Sequence, residues 1–200
     1  MPRPEKKTKG SESLRQEITV AAKELFVRKG YANVSMRKIA EKTGYSPTAI
    51  YLHFRDKGDL LHQICEQTFA DLARNIRAIQ NLSDGPLEKL RSGMREYIHF
   101  GLKHPSEYEL VFITPLKENT KGEFASSNGK AAFETMTGVV GECVAAKLLK
   151  SDDVELISQT LWAGIHGVTA LFISHKSFPF VDRGKLIDNT IDTLIAGIKA

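Results

Sequence analysis

The chain has 200 residues, 42% of them apolar and 26% charged, with a net charge of +4 at neutral pH. That length suits one domain, or a small domain joined to a larger one, and the apolar share suffices for a core. No apolar run is expected to reach the about 18 residues of a membrane span, and no signal-peptide core follows the basic N-terminus, so the expectation is a soluble, cytoplasmic protein without a membrane partner.

Residues 1–11 carry Arg3, Lys6, Lys7 and Lys9 with two prolines and no apolar pattern. They read as a disordered basic arm, either a plain tail or an arm reaching into a minor groove. Ser13 and Gln16 form a capping-box pattern, after which Ile18, Ala21, Ala22, Leu25 and Phe26 recur at helical spacing until Lys29-Gly30. Two short helices bury too little alone, so this first helix is expected to back the two that follow.

Those two are read from residues 35–54, SMRKIAEKTGYSPTAIYLHF. Ser35 suits an N-cap, Ile39 and Ala40 an inward face, and Gly44 a left-handed helix end. Ser46 then caps a second helix with Pro47 at its first position, running to about Phe54. Ile50 and Phe54 face inward, leaving Ser46, Thr48, Tyr51 and His53 outside. Two capped helices around a Gly turn fit a DNA-reading helix-turn-helix and, equally, a plain helical hairpin. The cations are concentrated here: residues 1–62 hold 13 Lys and Arg against 7 Asp and Glu. That favours phosphate contact, although a solvated face would show the same excess.

The stretch and its flanks resemble the N-terminal domain of the TetR family of transcriptional regulators. The matching residues are Ala21-Ala22, Leu25-Phe26, Gly30-Tyr31, Ile39-Ala40, Gly44, Ser46, Ile50-Tyr51, Phe54, Lys57 and Leu60-Leu61, between residues 13 and about 65. Gly58 departs from the acidic residue usual at that position. The resemblance implies a three-helix DNA-binding domain over 12–58 and a phosphate contact by Lys57. Ser35 and Arg37 would also position phosphates, with Ser46, Thr48, Tyr51 and His53 on or beside the groove-facing surface. Pro47 and Ala49 stand where other members often carry polar side chains, so fewer base-edge hydrogen bonds are available, though Ala49 suits a thymine methyl.

Asp56 and Asp59 can cap a long helix whose apolar residues run from Leu60 to Ile79, ending near Asn81. Asp84-Gly85-Pro86 signals a turn and a helix to Lys103; Pro105 opens another to about Ile113; Thr114 to Gly122 reads as a loop. A helix resumes through Phe133, Met136, Val139, Val140, Val144 and Leu148, where Gly138 and Gly141 suggest a close helix contact or a bend. Asp152 and Glu155 cap the next helix, through Leu161 and Phe172, and a final helix spans about Arg183 to Lys199. No stretch alternates like a strand. The expected class is all-α, about nine helices, with residues 59–200 forming a helical effector-binding and dimerisation domain. Cys65 and Cys143 have neither disulfide nor metal-ligand spacing and read as reduced core residues, a redox-sensing thiol being the alternative.

Trp162-Ala-Gly-Ile-His166-Gly167 resembles the Trp-His-Gly signature of one group of TetR-type C-terminal domains. With Tyr97, Phe100, Tyr108, Phe112, Phe133 and Met136, Trp162 and His166 are expected to line an apolar cavity for a small hydrophobic or aromatic effector; plain core aromatics are the alternative. The last two helices are apolar over more than one stripe, and in the resembled family they pair with their copies across a homodimer. Leu161, Val168, Leu171, Phe172, Ile187, Ile191, Leu194, Ile195 and Ile198 are expected at that interface, burial within one subunit being the other reading. Catalysis has little support: there is no His-Glu-x-x-His, Cys-x-x-Cys or Gly-x-Ser-x-Gly, and Gly122–Gly129 lacks a P-loop lysine. The expectation is therefore a dimeric, effector-responsive regulator of double-stranded operator DNA, a repressor or else an activator, with no metal or cofactor. A protein-binding adaptor is the remaining alternative.

Overall fold

The computed structural model describes residues 11–82, 84–113 and 128–200. The basic arm, apart from Ser11, and the Thr114–Gly122 loop lie outside them, as does most of Gly122–Gly129. Among the described residues there are nine α-helices and no strand beyond an isolated antiparallel bridge between Leu149 and Lys199. Contacts divide the chain into two units, Met1–Cys65 and Glu66–Ala200.

The first unit begins with α1, Ser11–Lys29, which buries Ile18, Ala21, Ala22, Leu25 and Phe26. Ser13 therefore lies inside the helix, and the Ser13/Gln16 pair is not its cap: the pattern of a capping box occurs within helices too. A single 3₁₀ turn, Tyr31–Asn33, leads to α2, Met36–Thr43, and then α3, Pro47–Tyr51. Ser35 Oγ accepts from the Lys38 N–H at 3.3 Å and Ser46 Oγ from the Ala49 N–H at 3.1 Å. Gly44, at φ 73° and ψ 14°, ends α2 in the left-handed region, where a Cβ would be strained. The second helix is shorter than its pattern suggested, because both His53 and Phe54 N–H groups turn back to the Ile50 carbonyl at 3.0 Å. Phe54 still points inward and, with Ile18, Ile39, Ile50 and Leu60, is almost wholly buried.

Helix α4, Lys57–Gln80, belongs to both units. Asp56 caps it by accepting from the Asp59 N–H at 2.9 Å. In the second unit, α5 spans Pro86–Lys103 and α6 Pro105–Tyr108, continued by a π-helical turn over Glu109–Ile113. Then follow α7, Asn128–Ala145, α8, Val154–Ser174, and α9, Arg183–Ile198. The cap of α8 is Asp153, whose carboxylate accepts from the Leu156 N–H at 2.9 Å; Asp152, expected in that role, is one residue too early. Contrary to expectation, α8 is by length and composition apolar enough to cross a membrane, with a mean hydropathy of 1.4. It packs against α5, α7 and α9, and 44% of that run is buried inside the protein.

The core of this unit takes up much of the expected interface set: Leu161, Val168, Phe172, Ile187, Ile191 and Ile195 are buried within it, each at most 8% exposed. Leu171 is 48% exposed, and Leu194 and Ile198 are partly exposed. At Gly138 and Gly141 the close contact, one of the two readings, is not found: a Cβ at either would meet nothing within 4 Å among the described residues, whereas one on Gly101 would lie 2.5 Å from Thr169 Cγ2. Cys65 and Cys143 are both buried and not joined in a disulfide, and burial pushes the Cys143 thiol above its ordinary pKa.

Candidate nucleic-acid interface and ligand cavity

In the first unit, the residues singled out from the sequence fall on one capped helix pair. Ser46, Pro47, Thr48 and Tyr51 are exposed on α3, Tyr51 at 54%, while Ala49 and His53 are partly covered. Leu52, which drew no attention in the sequence, is 81% exposed beside them. Ser35 and Arg37 are exposed at the start of α2, and the Arg37 guanidinium lies 3.6 Å from Glu41. Arg15 holds α3 from behind: its guanidinium sits 4.8 Å from the Phe54 ring centre and donates to the His53 carbonyl and to Gln63 Oε1.

Lys57 stands apart from the others. Its ammonium donates to the carbonyls of Tyr31 at 2.9 Å and Val34 at 3.2 Å, and lies 4.3 Å from the Tyr31 ring centre. The expected phosphate-binding cation is turned toward the backbone of its own unit, where it donates to carbonyls in and just after the 3₁₀ turn. Lys42 is likewise paired, at 2.6 Å from Glu24, and holds that carboxyl below its ordinary pKa.

The second unit holds a cavity of about 620 Å³ bounded by α4, α5, α7, α8 and Phe112. The size and the largely apolar lining suit a small-molecule site. Of the eight residues expected there, Tyr97, Phe112, Phe133, Met136 and Trp162 line it. Phe100 does not: it is buried with its ring 4.8 Å from His104. Tyr108 and His166 are brought together with Tyr97 but away from the lining. Helix α4 contributes Phe69, Leu72, Ile76 and Gln80, and α5 contributes Leu90, Gly93 and Met94, all missed from the sequence. For Phe69, Leu72 and Ile76 the helical spacing on α4 is the signal that the sequence offers.

A hydrogen-bonded cluster supports the cavity wall. The Trp162 indole N–H donates to Tyr97 Oη at 3.2 Å, the two tyrosine hydroxyls meet at 3.1 Å, and Tyr108 Oη lies 2.6 Å from His166 Nδ1. Tyr97 Oη also lies 3.1 Å from the same nitrogen, so Nδ1 accepts from the tyrosine hydroxyls when His166 keeps its proton on Nε2. Burial favours these neutral forms. It pushes Tyr97 up to about 12 despite bonds from Tyr108 and Trp162, raises Tyr108 further, and lowers His166 below the ordinary histidine value. The cluster thus offers shape and rigidity, with the Trp162 N–H, both tyrosine hydroxyls and His166 Nδ1 already engaged. Among the described residues, no group of three or more His, Cys, Asp or Glu is placed to hold a metal ion.

Residues 18–64 match the family model described as bacterial regulatory proteins of the tetR family, and residues 90–194 match a tetracyclin repressor-like C-terminal domain. A transcriptional activator named FasR from Mycolicibacterium smegmatis is 28% identical over 99 residues, covering 49% of this chain and 45% of its own. A repressor named AcnR from Corynebacterium efficiens is 29% identical over 141 residues, covering 70% and 66%. The chain thus spans about half to two thirds of the length of these relatives. A solved bacterial regulatory protein of the tetR family from Rhodococcus RHA1 superposes with a TM-score of 0.73 at 19% identity, over 91% of this chain and 95% of that one. That likeness speaks for the fold alone.

Proposed function

This chain belongs to the TetR family of bacterial regulatory proteins, and from that premise we propose that it is a homodimeric repressor, released from a pseudopalindromic operator by a small hydrophobic effector. It would act in the cytoplasm, as a binder and not a catalyst. The observation that carries the reading is the α2–α3 pair: two serine caps and a left-handed glycine fix a helix-turn-helix whose second helix leaves Thr48 and Tyr51 exposed. Base contacts would come from Ser46, Thr48, Tyr51 and His53, with Pro47 and Ala49 offering apolar surface, while Ser35 and Arg37 meet phosphates. Lys57 would act as a positioning residue.

A two-fold dimer would present two α3 helices to successive major-groove faces. Its interface would use the outward side of α8 and α9, where Leu156, Thr160, Gly167, Leu171, Thr193, Ala196 and Gly197 keep exposure. Gly167 and Gly197 support this: each weakens its helix, and a Cβ at either would touch nothing within 4 Å among the described residues. The cavity would take the effector. Phe69, Leu72 and Ile76 in its wall share α4 with Lys57, so an occupant that favours one placement of α4 biases the DNA-reading unit by its difference in affinity between the two states. The relative named as an activator favours a second reading, in which the bound form turns a promoter on.

The test is selection of duplexes from a random pool by the purified chain, followed by binding across a salt series. An enriched inverted repeat whose affinity falls steeply with salt is the expected result. No enrichment from a folded, dimeric preparation rejects the regulator reading. Transcription from the selected repeat then separates repression from activation.

A further inference from the structure

The polar groups around the cavity differ in what they already hold. Tyr97 and Trp162 belong to the hydrogen-bonded cluster described above. Thr135 Oγ1 donates to the Ala132 carbonyl at 2.6 Å, and the exposed Gln159 amide donates to Glu155 at 2.8 Å. Lys130 is the one charged side chain on the lining among the described residues; it is 65% exposed and 3.8 Å from Glu134. Gln80 is the exception. It lines the cavity, is only 7% exposed, and its side-chain amide has no hydrogen-bond partner among the described residues.

Its position depends on Gly93, across from it on α5. A Cβ there would lie 2.7 Å from Gln80 Nε2, so the amide rests in space that glycine leaves open. Gly93 lines the same cavity. A primary amide has two donors and an acceptor; its atoms keep access to the cavity space, and against an apolar lining an occupant that completes its bonds is favoured. A charged occupant group beside it would lose water without gaining a buried counter-ion.

The geometry points to the class of effector: an uncharged, mainly apolar molecule carrying one carbonyl, amide or hydroxyl group that pairs with the Gln80 amide over Gly93. This rests on the reading of the cavity as the effector site and adds to it the polarity and charge of the ligand.

Three probes of similar shape test it: biphenyl, para-phenylbenzamide and para-phenylbenzoate, titrated into the full chain by calorimetry. Trp162, the chain's one tryptophan, stands on the cavity wall and reports occupancy by its fluorescence. The benzamide is expected to bind at least about tenfold more tightly than the benzoate. Gln80→Leu should cost the benzamide about tenfold and leave biphenyl as before. Gly93→Ala, which displaces the amide, should weaken the benzamide selectively in the same way. A benzoate that binds as well as the benzamide overturns the inference, as does a benzamide preference that survives both variants, while the cavity reading stands. Failure of all three probes to bind or to change Trp162 removes the cavity reading itself. Should either variant fail to fold, the wild-type comparison of amide with carboxylate still decides.

Discussion

The ammonium of Lys57 has three protons and reaches the carbonyls of Tyr31, Ala32 and Val34, with the Tyr31 ring face alongside. Hydrogen bonds from a charged donor stabilise more than neutral ones, and these carbonyls lie in and just after the 3₁₀ turn that leads into α2. Lys57→Met keeps the aliphatic stem and removes the donors. It is expected to destabilise the chain by about 1–3 kcal/mol, read as a lower urea midpoint. The slope of operator affinity against salt should stay unchanged. A side chain working at a phosphate would show the reverse: unchanged stability and a slope smaller by about one.

At the scale of the helix, two glycines separate close packing from open surface. On α5, a Cβ at Gly101 would lie 2.5 Å from Thr169 Cγ2 and 2.8 Å from the Tyr108 ring, both held in the core. Gly101→Ala is therefore expected to cost about 1–3 kcal/mol through overpacking. Gly138 on α7 has nothing within 4 Å of that position, so Gly138→Ala should gain up to about 1 kcal/mol of helix propensity. Thermal unfolding of the two variants should show opposite shifts in Tm; shifts of the same sign would contradict this packing. The contrast also shows what a sequence makes legible. Ser35, Gly44, Ser46 and Asp56 were readable because a cap or a helix end is decided within about three residues. Gly101 and Gly138 look alike in sequence, because what faces them lies far along the chain. For the same reason five aromatic and sulfur-bearing cavity residues were found from composition and spacing, while Gln80 and Gly93, defined by each other across two helices, were not.

For the whole molecule, charge and exposed surface have to serve different encounters. Residues 1–62 carry the cationic excess, which suits a polyanion, and the outward side of α8 and α9 carries small and apolar residues with few charges. The strongest apolar side chains of those two helices are used inside the subunit, so a self-association face there would rest on close approach between small residues more than on large buried anchors. Gly167 is the most informative position to disturb. A new side chain at it meets nothing in its own subunit among the described residues, so Gly167→Glu should leave the fold intact while placing a desolvated charge against a partner. Sedimentation is expected to show a monomer with unchanged helical circular dichroism. Operator affinity should fall steeply, because one recognition helix then meets one half-site without its two-fold mate. A variant that remains a dimer would move the interface away from α8 and α9, whereas a monomer that binds the full inverted repeat as tightly as before would sever the link between dimerisation and DNA reading.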